Sequence, residues 1–322
     1  MFDCHFDLLT YTYMNKNDLY QIKKKVNKVF NKNTKGAVFT LFYMTPKEMK
    51  DELFIEEKDI NIIENLKEVN RLIKENNLIP GSIEYVYGIE GLDYLEKIED
   101  VDEIYNLGVR SVNIVWNNDN KFGGGAKGDT NRGLTVLGEE LVKKLANKRI
   151  AIDLSHANEK TFYDIINLCY KLKEEGENPK VYASHSNCKE LCNHRRNLND
   201  EQILKIKELN GIIGIVGVKP FCINNWEKLD KNRRKYENAY VEHIKHLKKL
   251  LGGVDNIAVS SDDMTYYKIE KKYYKYFNVF KQENMQKKLE KLLLKNKFSK
   301  EEIEKILYAN AKKFLISDIQ LL

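Results

Sequence analysis

The chain opens on a pair of residues with metal-binding chemistry, His5 and Asp7, separated by one phenylalanine. Side chains at i and i+2 of a strand share a face, so this spacing aims an imidazole and a carboxylate the same way. Further donors follow at Glu90, at His156 within IDLSH and at His185 within YASHS, and an acidic pair stands at Asp262 and Asp263. Taken singly, each is as readily a buried polar residue held in a hydrogen bond, and His-x-Asp alone is common. Together they form a donor set suited to zinc or a similar divalent ion. His5, Asp7, Glu90, His156 and His185 exceed the four ligands of one tetrahedral ion, and suit two ions about 3.5–4 Å apart that share a carboxylate.

Such donors must be carried to one point by the elements around them. Strand-like runs are read at 2–9, 37–44, 82–90, 109–116, 149–155, 180–185, 211–218 and 256–262. Amphipathic helical patterns fill 18–30, 57–77, 92–107, 135–147, 158–174, 200–209 and 241–251, with apolar residues recurring at three and four. The stretch 281–317 reads as two helices, with a capping signal at Ser299 and Glu302. Eight βα repeats predict an α/β fold, a (β/α)8 TIM barrel, with a doubly wound open sheet as the alternative. The absence of a Pro- or Ser-rich linker predicts one domain over 1–322, with the C-terminal helices packed on the barrel. Barrel active sites lie at the C-terminal ends of the strands, and the donors fall at those ends.

Composition narrows the remaining classes. The 322 residues carry a net charge of +6, but only eight of the 54 basic residues are arginine. The lysines are interspersed with Glu and Asp in helical segments, which predicts solvated helix faces and no nucleic-acid partner. Mean hydropathy is −0.55 and no run reaches the ~20 apolar residues of a membrane span. The start MFDCHFDLLTY has no basic n-region and no long apolar core, so a soluble cytoplasmic protein is expected. The five cysteines contain no CxxC pair and are read as free thiols.

At this point the sequence resembles the membrane (renal) dipeptidase family of zinc metallopeptidases, one of the amidohydrolase-type barrels, in the form of a bacterial cytoplasmic member. DCHFDLL is similar to its His-x-Asp opening and GIEG to its bridging-glutamate motif. GLTVLGEELVKKLANKRIAIDLSHAN, ASHSNCKELCNHRRNLND, HIKHLKKLLGGVDNIAVSSDD and YANAKKFL resemble later blocks, nearly end to end. The resemblance implies a dipeptidase with two divalent ions, Zn2+ by preference, and a bridging hydroxide as nucleophile. His5, Asp7 and Glu90 would hold one ion, and Glu90, His156 and His185 the other. Asp262 would carry the proton and Arg196 would bind the substrate's C-terminal carboxylate. The partner is then a small peptide, and a homodimer would be unsurprising.

The sequence also departs from that pattern. Trp116 stands where the family has a substrate-binding His, Leu92 replaces a Gly after the bridging Glu, and Ser260-Ser261-Asp262-Asp263-Met264-Thr265 replaces Gly-Gly-Asp-Phe-Asp-Gly. These changes leave open a related amidohydrolase acting on another amide, ester or lactone, or a metal-binding homologue with weakened catalysis. Five other features lie outside the proposed ligand set. His243 and His246 read as structural helix residues, GGGAKGD (123–129) as a flexible loop, and 266–277 as an aromatic run of open role. Asp153 is a candidate orienting group, and His194 is left unassigned.

Overall fold

The computed structural model describes residues 1–30, 34–42, 61–228, 233–263 and 279–317. The aromatic run 266–277 and the start of the expected helix 57–77 lie outside them. All eight expected strands are present: β1 Phe2–Phe6, β2 Gly36–Phe42, β3 Glu84–Glu90, β4 Val109–Asn113, β5 Ala151–Asp153, β6 Val181–Tyr182, β7 Ile213–Val216 and β8 Ile257–Ser260. Every pairing is parallel, in the order β6-β5-β4-β3-β2-β1-β8-β7. The two ends of that order meet in a parallel bridge between Ala183 and Ile213, which closes the sheet into a barrel.

Alternation along the strands divides the core in two. Phe2, Cys4, Val38, Val86, Ala151, Tyr182 and Ala258 fill the barrel. Phe6, Phe39, Leu41, Tyr87, Ile89, Val112, Ile152 and Val259 pack outward beneath the helices. The C-terminal segment runs as Lys300–Glu304, a π-helical turn at Lys305–Ala309 and Asn310–Ile316. It delivers Ala311, Leu315 and Ile316 to the same cluster as Phe2 and Cys4, so its apolar face plugs the bottom of the barrel. The capping box read at Ser299 and Glu302 is formed.

Strand β1 carries an irregularity that matters for the site. Its register against β2 shifts between Asp3 and Phe6. Phe2 and Cys4 face the barrel interior, whereas after the shift Phe6 faces outward. The bulge therefore changes the phase of the strand and turns the odd-numbered His5 and Asp7 toward the mouth.

Other boundaries moved for local reasons. The strand expected to 9 stops at Phe6, because a helix begins at once, α1 Leu8–Met14. Of the expected helix 92–107 only Asp100–Asn106 forms; the Asp100 carboxylate accepts a bond from the Lys97 amide and stops the helix from extending backward. Strands β5 and β6 are short because the Ser155 and Ser184 amides leave the ladder and donate to the Asp153 carboxylate. One lysine of the KKK run, Lys25, is buried, and loss of water lowers its pKa to about 8. All five cysteines are free and buried. No helix among the described residues is long and apolar enough to cross a membrane.

Candidate metal centre

At the C-terminal ends of β1, β3, β5 and β6 the five expected donors come together. Glu90, the last residue of β3, lies at the centre. Its Oε2 is 3.5 Å from His5 Nε2, and its Oε1 is 2.7 Å from His156 Nε2 and 3.4 Å from His185 Nε2. Asp7 Oδ1 is 3.6 Å from His5 Nε2, and the two imidazole nitrogens of His156 and His185 are 2.9 Å apart. All five side chains are buried.

Burying this many ionisable groups is costly unless they neutralise one another. Burial alone would raise the Glu90 carboxyl, but the charge of His5 holds it well below the carboxylate range. Burial would lower His5, yet the Glu90 charge, with the Asp7 carboxylate also beside it, keeps it well above the usual value. Burial, with Arg196 nearby, depresses His156 to about 3, and burial with the charge of His5 holds His185 well below its usual value. Two imidazoles are thus neutral, the form that binds metal.

The donor set fits a divalent ion. His5 Nε2 is buried and makes no hydrogen bond, although two carboxylates face it. Among the described residues three groups have donor atoms close enough to hold an ion. These are His5–Asp7–Glu90, Glu90–His156–His185 and His5–Asp153–His185. The first two share Glu90 through different oxygens. The centre of the third is taken by the Ser184 hydroxyl, which bonds to Asp153 Oδ2, His185 Nδ1 and His5 Nδ1.

Asp262 follows β8 in a left-handed conformation (φ 41°), its amide bonded to the His5 carbonyl. Loss of water pushes its carboxyl up to about 7, with the Asp7 and Glu90 charges adding to the rise. Of the two serines that replace glycines before it, Ser261 serves as a tie, donating its amide to Asp3 Oδ1 at 2.8 Å and its hydroxyl to the His5 carbonyl. Arg196 is buried and sends Nη2 to His185 Nε2 at 2.8 Å, while its Nε is unpaired. An ion on His185 would need the same lone pair, so the two contacts exclude each other. Trp116 is also at the mouth, its ring 4.8 Å from Phe42 and stacked 5.9 Å from His156.

Three orienting residues escaped the sequence reading. Asn117 Oδ1 lies 3.2 Å from His156 Nδ1, and Ser155 and Ser184 both donate hydroxyls to Asp153. Asp153, read as a candidate orienting group, meets His5 and His185 through the Ser184 hydroxyl; the serines and Asn117 carried one signal, adjacency to a donor histidine or to Trp116. The residues set aside behave as read where a bond is seen. His243 is fully buried, accepting from the Cys188 amide and bonding to the Cys222 carbonyl. The glycine-rich 123–129, read as a flexible loop, is tied to the segments around it. Ala126 donates to the His156 carbonyl and Lys127 to that of Asn117, and a Cβ at Gly125 would lie 2.4 Å from the Asn118 carbonyl oxygen.

This donor set on this barrel is matched by a family model, "membrane dipeptidase (peptidase family M19)", over residues 1–318. The chain belongs to that family. Relatives include an uncharacterized protein of Acinetobacter calcoaceticus, 30% identical over 197 residues (59% of this chain, 58% of the relative). An uncharacterized dipeptidase of Schizosaccharomyces pombe is 28% identical over 187 residues, 56% of this chain and 41% of its own. The matched stretch thus spans about two to three fifths of these curated relatives. Solved structures share the fold. A metallo peptidase from Rhodobacter sphaeroides, liganded with a phosphinate mimic of the dipeptide L-Ala-D-Ala, superposes with TM-score 0.74 at 20% identity, covering 98% of this chain and 97% of its own. An amidohydrolase from Pseudomonas aeruginosa gives 0.69 at 19% identity, covering 91% of each chain. The M19 membership and the buried His/Glu/Asp cluster make this a metallo-dipeptidase-family chain with a candidate metal site.

Proposed function

We propose that the protein is a metal-dependent dipeptidase holding two divalent ions, with zinc as the fitting metal. His5, Asp7 and Glu90 would hold one ion, and Glu90, His156 and His185 the other. The observation that carries this reading is the division of Glu90, one oxygen toward His5 and the other toward His156 and His185. When bound, such ions lower the pKa of water from 15.7 to about 7 and polarise the scissile carbonyl. Asp262 would accept the proton of the attacking water and return it to the departing amine, a task that suits a carboxyl with a raised pKa. The one-domain organisation of the chain, with its C-terminal helices as the floor of the barrel, is part of the same proposal.

Arg196 would bind the free carboxylate of the dipeptide. A carboxylate one residue beyond the scissile bond would meet a buried guanidinium whose Nε has no partner. The dipeptide mimic in the Rhodobacter structure supports a substrate of this size. Arg196→Gln is expected to raise KM for dipeptides by about 30–1000-fold, the usual cost of removing one partner of a buried charge pair. Metal content should be unchanged. Steady-state kinetics beside metal analysis checks this, and an unaltered KM refutes the carboxylate role.

A second reading, a related amidohydrolase acting on another amide, ester or lactone, is favoured by Trp116. An indole stacked on His156 offers no imidazole donor to a developing oxyanion at that position. Loss of one such donor typically lowers kcat by about 10²–10³. Trp116→His is therefore expected to raise dipeptide turnover toward that margin if dipeptides are the substrate. No gain for any dipeptide, with turnover of a lactone or ester, selects the second reading.

The deciding experiment is metal analysis of the purified protein beside a panel of L- and D-terminated dipeptides. The proposal expects about two ions per chain and cleavage of at least one dipeptide. Protein that binds no divalent ion overturns it.

A further inference from the structure

The two halves of the cluster are joined on their inner side as well as through Glu90, and a single hydroxyl makes that join. Ser184, fully buried at the end of β6, directs Oγ to Asp153 Oδ2, to His185 Nδ1 at 2.5 Å and to His5 Nδ1 at 3.5 Å. Asp153 accepts four bonds in all: the amides of Ser155 and Ser184 on Oδ1, the Ser155 hydroxyl on Oδ1 and the Ser184 hydroxyl on Oδ2. Ser155 Oγ in turn accepts the His185 amide at 3.1 Å.

Counting protons fixes the direction of every bond. A carboxylate only accepts, and a hydroxyl has one hydrogen and two lone pairs. Because the Ser184 hydrogen is given to Asp153, both lone pairs of its oxygen are left for N–H donors. Ser155 Oγ, 3.4 Å away, has given its own hydrogen to Asp153 Oδ1 at 2.7 Å, so the remaining donors within reach are His185 Nδ1 and His5 Nδ1, which must therefore carry protons on Nδ1. The nitrogen that each would give to an ion is then Nε2, on the side of Glu90. Asn117 Oδ1 applies the same rule to His156 by itself.

We propose that Ser184 is the positioning residue that sets the tautomer and ring orientation of His5 and His185 together, one imidazole from each ion's shell. Asp153 is the acceptor that fixes the hydroxyl. This rests on the two-ion reading above, and it adds a linkage between the shells that the ligands alone do not provide. It also explains why the His5–Asp153–His185 group is no ion site. The hydroxyl occupies its centre, and both imidazoles offer it N–H rather than a lone pair.

The test is a zinc titration of chelator-stripped protein against a competing chromophoric chelator. Partners behind metal-bound histidines typically contribute 10–100-fold in affinity, so Ser184→Ala is expected to weaken both binding steps by about that factor, while Ser184→Thr, which keeps the hydroxyl, stays within about threefold of wild type. Asp153→Asn is expected to weaken binding at least as much as Ser184→Ala. Its amide would donate to Ser184 Oγ and release the hydroxyl proton toward Nδ1, favouring the wrong tautomer. Wild-type affinity at both steps in Ser184→Ala overturns the inference, as does weakening of only the step that involves His185. If Ser184→Ala does not fold, imidazole 15N spectra of the zinc-loaded wild type decide. Protons on Nδ1 of His5 and His185 are expected, and zinc on either Nδ1 refutes the proposal. A wild type that takes up no zinc overturns the metal reading and this inference with it. Normal loading in both proteins overturns this inference alone.

Discussion

Glu90→Gln is expected to reduce metal content from about two ions per chain to at most one and to lower kcat/KM by at least about 10³-fold, because lowering the pKa of water from 15.7 to about 7 is the principal service of such ions. The size of the effect follows from where Glu90 stands. Its two oxygens face different imidazoles, so no other side chain here belongs to both donor groups. An amide keeps the shape but has one weak acceptor oxygen and no charge. The same substitution removes the main counter-charge of His5, whose pKa stands well above the usual value because Glu90 and Asp7 are beside it. In metal-free protein the His5 pKa should therefore fall in the variant, which an NMR titration of the imidazole reads directly. Glu90→Asp separates charge from reach. One methylene shorter, it keeps a charge near one histidine pair and is expected to retain a single ion. Full metal content in Glu90→Gln would refute the bridging role.

Much of this site was legible because barrels place chemistry at strand ends, and a polar residue closing an apolar run is conspicuous. His5, Glu90, His156 and His185 could be found that way, and all are in one cluster. The same rule found Asp262, whose amide is tied to the strand that carries His5. The bulge in β1 was not legible. Strict alternation from Phe2 would have turned His5 away from the interior, and only the pairing with β2 reveals the phase change. Ser184 and Asn117 were not legible either. A serine or asparagine beside a histidine or tryptophan has no pattern of its own, and its role depends on which lone pairs three other side chains leave free. Helix limits suffered for a similar reason. Leu92 and Leu95 have helical spacing and are fully buried, yet they are buried from a turn. Lys25 shows the same limit of pattern reading, since the last residue of a charged run need not face water.

Asp262→Asn is expected to leave metal content intact while lowering kcat by about 10²–10⁴, the range for loss of a general acid–base group. The substitution is conformationally mild, because Asn tolerates the left-handed backbone seen here (φ 41°) as well as Asp does. It therefore isolates proton transfer from ion binding, in contrast to Glu90→Gln. The pH dependence supplies the sign. As a base Asp262 works only when ionised, so kcat/KM should rise with pH through its pKa. Burial and the neighbouring Asp7 and Glu90 charges raise that pKa from 3.8 to about 7 in the protein alone. Bound cations favour the ionised form and draw it back down. The acid limb of the metal-loaded enzyme should accordingly lie between those two values, and Asp262→Asn should flatten it. A variant that keeps both its rate and its acid limb would assign the proton transfer to another group. A variant that loses its ions would instead make Asp262 a ligand.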